Sequence, residues 1–291
     1  MRVHDHSEQE SLMKLSQSIV GTVALVSVAF AGNAFGAMKM IQNTNFNTGY
    51  TAGTVQTSSQ YSAGTAGQGG WITAGGGSAF YNIANDPTVG GTRGLCMSIQ
   101  GSSTTSARYA WTNDVYNNWE SRDVGSDTIY AVWDQDTTTT NSSTNKFGAL
   151  IYDATQTKIL AGMYVNASTG ALQALSYSTS GGTSSNYAYN TGVTITRNAW
   201  QSLAMTFNKT TGVSGYYWKV SGTWAGATIA GAAAGVNPDE FDLYQSANGP
   251  TTQGLAYYDN ILISSGSGSF VPAPGAIALI GLAGLVARRR R

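Results

Sequence analysis

Between Met38 and Ser269 no long stretch carries helical periodicity. Short runs of β-branched and aromatic residues recur instead between clusters of Gly, Asn and Ser. The runs that read as strands are Gly94 to Ile99, Ala107 to Trp111, Asp127 to Asp134, Phe147 to Asp153, Leu160 to Asn166, Ala171 to Ser178, Gly192 to Thr196, Trp200 to Asn208, Gly215 to Val220, Glu240 to Gln245 and Gly254 to Ser264. So many short strands imply stacked sheets. In Thr128 to Trp133 and in Trp200 to Phe207, bulky apolar residues alternate with small or polar ones, the mark of a strand with one buried face. Tyr164 to Leu172, turning at Asn166-Ala167-Ser168-Thr169-Gly170, and Asn208-Lys209-Thr210-Thr211-Gly212 read as hairpins and favour antiparallel pairing. The sequence thus predicts an all-β, two-sheet antiparallel sandwich.

Composition agrees: charged residues make up 10% of the 291-residue chain, aromatics 11%, and there are 36 Gly against 5 Pro. That balance suits turns and strands better than helix interiors. Formal net charge is zero and no basic stripe exists outside the last four residues, which argues against a nucleic-acid partner. Cys96 has no cysteine partner, and its neighbours Leu95, Met97 and Ile99 predict a buried strand thiol.

The segment Asn198 to Asn208, followed by a turn and Tyr216-Tyr217-Trp218, resembles a strand pair of the concanavalin A-like and laminin-G-like jelly rolls. Ala256-Tyr257-Tyr258-Asp259-Asn260-Ile261-Leu262-Ile263 resembles the closing strand of such domains. The resemblance implies a jelly roll of which many relatives bind sugars, and it makes Asp259 a calcium candidate. The residues themselves favour Asp259 as a turn-capping side chain at a strand entrance.

The two ends carry addresses. From Met13 the chain reads Met-Lys, an apolar stretch from Ile19 to Ala31, then Ala34-Phe35-Gly36, with Ala34 and Gly36 at the positions a signal peptidase reads. This predicts a signal helix over 1–36, with translation starting at Met13, because the preceding residues hold both histidines and lack a positive leader. At the other end Pro272-Ala273-Pro274 leads into an apolar run from Gly275 to Ala287 and then Arg288, Arg289, Arg290 and Arg291. This resembles the PEP-CTERM sorting signal, with Ala273 where the family's tripeptide has Glu. The arginines stay cytoplasmic while a short hydrophobic helix holds the tail in the bilayer. The resemblance implies an exosortase-like protease as partner, a transient inner-membrane anchor and delivery to the cell envelope or beyond. The organisation expected is a signal peptide over 1–36, a β-sandwich over 37–269 and a sorting signal over 270–291.

Chemistry is sparse. No histidine follows the predicted cleavage site, which excludes Ser-His-Asp and Cys-His machinery and the usual zinc ligands. Glu120 and Glu240 are the glutamates that remain, and neither lies in the Glu-x-Asp-x-x-Glu pattern of glucanases with this fold. Asp239-Glu240-Phe241-Asp242 places Glu240 and Asp242 on one strand face, and reads as a group of strand-edge or turn acids. Asp134-Gln135-Asp136 with Thr137 to Thr140 lacks the Gly and Glu of a calcium loop and reads as a solvated turn. Trp133, Trp200 and Trp218 are expected in the core. Tyr116, Trp119 and Trp224, flanked by Asn, Gly and Ser, are the expected exposed rings. The sequence therefore predicts a non-catalytic surface protein that binds carbohydrate through Tyr116, Trp119, Asp259 and Asn260. A structural coat component is the alternative, and a glycosidase relative the last.

Overall fold

The computed structural model describes residues 38–103, 106–138, 144–246 and 253–267. The signal residues Ala34 and Gly36, the sorting residues Pro272, Ala273, Pro274 and Arg288 to Arg291, the two flanking helices and both domain boundaries lie outside the described residues.

The strands in chain order are β1 (Lys39–Thr44), β2 (Gly53–Thr54), β3 (Ile72–Ala74), β4 (Tyr81–Asn85), β5 (Leu95–Gln100), β6 (Arg108–Trp111), β7 (Thr128–Thr137) and β8 (Lys146–Asp153). They continue with β9 (Ile159–Asn166), β10 (Ala171–Ser180), β11 (Thr183–Thr194), β12 (Gln201–Asn208), β13 (Val213–Val220), β14 (Thr223–Ala230), β15 (Pro238–Ser246) and β16 (Leu255–Gly266). Two short helices, α1 (Ser58–Ala63) and α2 (Asp114–Asn118), sit between strands. The first sheet has the order β14-β13-β12-β7-β16-β5-β4-β2, with β1 pairing the far half of β16; the second has the order β11-β10-β9-β8-β15-β6-β3. Pairing is antiparallel, and the architecture is the two-sheet jelly-roll sandwich that the strand pattern predicts.

Because side chains alternate along a strand, each inner face is set by which parity is apolar. β7 and β12 send Ile129, Ala131, Trp133, Leu203, Met205 and Phe207 inward; β8, β9 and β15 answer with Phe147, Ala149, Ile151, Met163, Val165, Phe241 and Leu243. Trp133 meets Phe241 edge-on across the sheets at 6.2 Å between ring centres. Both expected hairpins form. Asn166 Oδ1 accepts from the Ser168 and Thr169 amides, at 2.9 and 3.1 Å, and Asn208 Oδ1 accepts from the Thr211 amide at 2.8 Å. Gly170 and Gly212 close these turns at φ 75 and 72, a region open to glycine without strain.

The structure adds strands that composition hid. β11 was expected only at its end, Gly192 to Thr196, and β14 not at all. Each closes a two-residue hairpin loop, Gly181-Gly182 (φ 57 and 81) and Ser221-Gly222 (φ 49 and 84), the double positive-φ signature of a type I′ turn. β7 also runs on through Asp134-Gln135-Asp136, which is strand rather than solvated loop; Asp136 is buried, and burial pushes its carboxyl up to about 6. Of the tryptophans expected in the core, Trp133 and Trp218 are buried, while Trp200 is half-exposed beneath Arg93.

Polar groups bolt the two sheets together. Gln135, on the inner face of β7, accepts from Trp133 Nε1 at 3.1 Å and donates to Phe147 O in the second sheet at 3.0 Å and to Thr137 Oγ1 at 2.8 Å. Ser214 donates to Leu160 O at 2.6 Å and Tyr216 OH to Leu175 O at 2.5 Å. Removing one such group leaves buried partners unsatisfied, which costs more than the bond itself contributes. Gln135→Ala is therefore expected to lower stability by about 2–4 kcal/mol in urea unfolding. A loss below about 0.5 kcal/mol, the range of ordinary surface changes, would contradict this role.

Candidate functional site

The second sheet's outer face holds the most developed site, and β15 builds it. Phe241 and Leu243 are buried in the core, so Glu240, Asp242 and Tyr244 must point outward. Register then brings Trp111 and Leu150 beside Asp242, Tyr109 and Gly148 beside Tyr244, and Tyr152 beside Glu240. Tyr109, Trp111, Tyr152, Gln156, Glu240 and Asp242 line a cleft of about 300 Å³. Beside it lies a small apolar floor of Leu150, Ile159, Tyr164 and Leu175, against which Tyr152 and Tyr244 pack. The Tyr109 and Tyr244 rings lie 5.2 Å apart.

Two irregularities aim these side chains. The β15–β8 register shifts between Pro238 and Glu240, leaving Asp239 as the extra residue, and the β8–β9 register shifts between Ile151 and Tyr152. Bulges of this kind re-aim side chains beside sites. The turn that follows β8 is tied by Asp153, whose Oδ1 accepts from the Thr157 and Lys158 amides at 3.0 and 2.9 Å and whose Oδ2 accepts from Thr155 Oγ1 at 2.7 Å. Burial pushes the Asp153 carboxyl up, but these donors outweigh it and hold it below the usual range. Gln156 sits on that turn at φ 54 and donates from Nε2 to both Glu240 oxygens at 3.3 Å.

The carboxyl pair is electrostatically poised. Asp242 is 2% exposed, and its Oδ1 has no hydrogen-bond partner. Burial first, and then the neighbouring Glu240, raise Asp242 well above the usual carboxylate range; burial also raises Glu240, and the two side chains hydrogen-bond each other. Two adjacent buried carboxyls cannot both ionise cheaply, which favours a proton shared by the pair, with Asp242 the more deeply buried of the two. Burial, with Tyr244 and Asp242 nearby, pushes the Tyr109 phenol up to about 12, so it stays a neutral donor. No Lys or Arg lines the cleft. Chemically it offers flat rings, phenol and amide donors, and the Glu240 carboxyl, with Asp242 buried beneath it.

The residues singled out from sequence lie elsewhere and are not brought together with this cleft. Tyr116 is 66% exposed, as expected, on α2. Trp119 corrects the expectation: it is 1% exposed, because Val115 and Trp119 fall on one face and turn into the core. Its Nε1 donates to Asn237 Oδ1 at 3.2 Å and Arg122 stacks on its ring at 4.3 Å. Trp224 is half-buried against Tyr130 and Ala204. Asp259 and Asn260 are on the first sheet, where a bulge between Asp259 and Leu262 lets Asn260 adopt φ 50 and donate to Asp134 Oδ2 at 2.8 Å. Asp259 is 1% exposed, so it does not present itself to solvent.

Arg93 Nη1 lies 2.6 Å from Asp134 and 3.6 Å from Asp259, and the guanidinium stacks on Trp200, whose Nε1 donates to Asp86 Oδ1 at 3.0 Å. Arg93 thus supplies the positive charge a cation would bring. Among the described residues no group of three His, Cys, Asp or Glu side chains is placed to hold a metal ion. Cys96 lies buried beneath this layer, its thiol pushed up to about 12 by burial.

Asp239-Glu240-Phe241-Asp242 is the part of the cleft that sequence did pick out, with Glu240 and Asp242 correctly on one face. The correction is one of position: β15 lies between β8 and β6, so these are central-strand acids, not edge ones. Tyr109, Trp111 and Tyr152 were placed in strands without a face. Their parity relative to Ala110 and Ile151, both buried, was the available signal.

No family model and no curated protein matches the chain. Solved structures resemble it in fold. A carbohydrate esterase from the Shiga toxin-encoding bacteriophage phi24B aligns at TM-score 0.49 and 11% identity over 79% of this chain and 100% of that one. A family 7 alginate lyase aligns at TM-score 0.44 and 13% identity over 68% of this chain and 86% of that one. A sialidase aligns at TM-score 0.47 and 8% identity over 67% of this chain, which spans 17% of the sialidase's length. At these identities the likeness concerns the fold alone. It does correct one expectation: the proteins folded like this chain include enzymes, so the inference that it is non-catalytic does not stand.

The shared proton has a measurable sign. Asp242 binds its proton more tightly folded than unfolded, so its stabilising contribution is complete below about pH 4, the unfolded carboxylate value, and is lost as pH rises through the pair's folded titration. Asp242→Asn removes that loss. Urea unfolding from pH 4.5 to 8 should therefore show the variant gaining on the wild type steadily with pH; parallel profiles would contradict the shared proton.

Proposed function

We propose that the chain is an exported, surface-sorted protein whose sandwich engages a neutral polysaccharide in the cleft on the second sheet's outer face. The observation that carries this reading is the placement of Tyr109, Trp111 and Tyr152 around the Glu240–Asp242 pair with no cation among them. Aromatic rings bind sugars through apolar C–H faces, while phenols, Gln156 and Glu240 exchange hydrogen bonds with hydroxyls. A polyuronate would bring its carboxylates against Glu240 with no Lys or Arg among the described lining residues to meet them, Lys146 standing beside the cleft over the Tyr164 ring, so neutral sugars fit better. Asp242 and Glu240 hydrogen-bond each other, closer than the two separated carboxyls that glycosidic-bond cleavage requires, so this pair is assigned to hydrogen bonding within the cleft. The esterase and alginate lyases with this fold, by their names, act on carbohydrate, which supports the same reading.

The ends of the chain support export. The stretch from Met13 to Gly36 fits recognition by signal peptidase, and Pro272-Ala273-Pro274 with Arg288 to Arg291 fits an exosortase-like membrane protease. Calcium is not required by this reading.

The test is calorimetric titration of the protein with neutral glucans, galactans and mannans and with alginate, alongside a reducing-end assay. Trp111→Ala should weaken binding about tenfold, some 1.4 kcal/mol, while Asp242→Asn, which removes the shared proton and keeps the side chain's shape, should keep binding. Preference for alginate, or affinity indifferent to Trp111→Ala, would overturn the cleft assignment. For sorting, fractionation of cells should find the processed protein outside the inner membrane, and replacing Arg288 to Arg291 with Gln should trap it unprocessed. Wild-type protein that stays in the inner membrane with its arginines intact would contradict the sorting claim.

A further inference from the structure

The two sides of the sandwich end differently. On one side the sheets stop at β2, two residues long, and β3, three residues long, and such short edges offer little to pair with. On the other they stop at β14, eight residues, and β11, twelve residues, both open along one edge. Ala232, just beyond β14, donates its amide to Tyr177 O in β10, so the two open edges share one side of the molecule.

From Thr183 to Asn190 β11 lacks the devices that keep an open edge solitary. Native edge strands carry Lys, Pro, inward-pointing charges or bulges along their length. β11 reads Thr-Ser-Ser-Asn-Tyr-Ala-Tyr-Asn-Thr-Gly-Val-Thr, without a charge or a proline, and no charged residue occurs between Lys158 and Arg197. It pairs with β10 in unbroken register from Thr183 to Asn190, the one irregularity falling beyond Asn190. Its length gives about 40 Å of unpaired backbone. Tyr187 and Tyr189 are half-buried against the body, while Asn186, Ala188 and Asn190 stay exposed.

We propose that β11 is an assembly edge, and that its partner is β11 of a second copy of this chain, paired antiparallel about a two-fold axis perpendicular to the sheet. An uncharged edge offers no electrostatic handle to a foreign partner, whereas against itself it is matched in length and free of like-charge repulsion. The two-fold arrangement is self-complementary and joins the second sheets of both copies into one continuous sheet with their outer faces on the same side. The pairing leaves the saccharide cleft open, because the cleft lies across β8, β15 and β6, at the other end of that sheet. Two clefts facing one way suit a protein that layers onto a polymer, yet the pairing stands whether or not the cleft binds sugar.

The axis keeps Ala188 of both copies on one face of the joined sheet, so charges placed there oppose each other. Sedimentation velocity of the full chain in mild detergent should show a concentration-dependent dimer. Ala188→Lys and Ala188→Glu should each weaken it about tenfold with unchanged circular dichroism and thermal midpoint, and an equimolar mixture of the two variants should restore it. A wild-type protein that stays monomeric, a dimer indifferent to both substitutions, or a mixture no tighter than either variant alone would overturn the proposal.

Discussion

The alternation of one strand carries both the core and the cleft. Phe241 and Leu243 sit at 1% and 0% exposure between the sheets, and a strand that buries these two must turn Glu240, Asp242 and Tyr244 to the opposite face. A slip of one residue in β15 would drive two acids into the apolar interior, so the core's demand for Phe241 and Leu243 enforces the register that assembles the cleft. The extra residue at Asp239 confines the adjustment to the strand's entrance. Everything downstream, from the Trp111 and Tyr109 neighbours on β6 to the Tyr152 neighbour on β8, follows from that register.

Several buried polar groups tie the two sheets together. Gln135, Ser214 and Tyr216 each reach across to a backbone carbonyl of the second sheet. Asp242, like Arg108, Asp136, Gln245, Asp259 and Ser265, keeps a buried side-chain atom without a partner, and it hydrogen-bonds a neighbouring acid. A buried acid of that kind lowers the stability of the folded state at neutral pH, and sites rather than scaffolds tolerate such local conflict. The Arg93 layer on the first sheet differs in holding a cation: Asp134 and Asp259 are drawn around a guanidinium that stacks on Trp200, although Asp259 Oδ1 keeps no hydrogen-bond partner.

How much was legible depended on where apolar periodicity is strong. β7, β8, β9, β10, β12 and β13 bury a run of large side chains on alternate positions, and their strands and hairpins could be read directly. β11 and β14 could not, because an edge strand with one weakly buried face alternates Tyr, Ala and Ile with Asn, Thr and Gly, a composition shared with loops. Trp119 was misjudged for a related reason. Its Asn and Glu neighbours look solvent-facing, but the turn of α2 and its extension puts Val115 and Trp119 on one face, and the large apolar pair goes inward. The acids of β15 were read on the correct face, while their central place in the sheet was not, since strand order is a long-range property that no local pattern encodes.

The central claim is that the working surface lies on the second sheet and not around Asp259, Asn260 or Tyr116. The most direct measurement follows the indole N–H resonances of Trp111 and Trp200 by NMR while a neutral oligosaccharide is added. The account predicts a saturable shift of Trp111, with the amides of Tyr109, Tyr152 and Gln156 moving alongside it, and an unmoved Trp200. Shifts confined to Trp200 and Asn260, or to Tyr116, would contradict it.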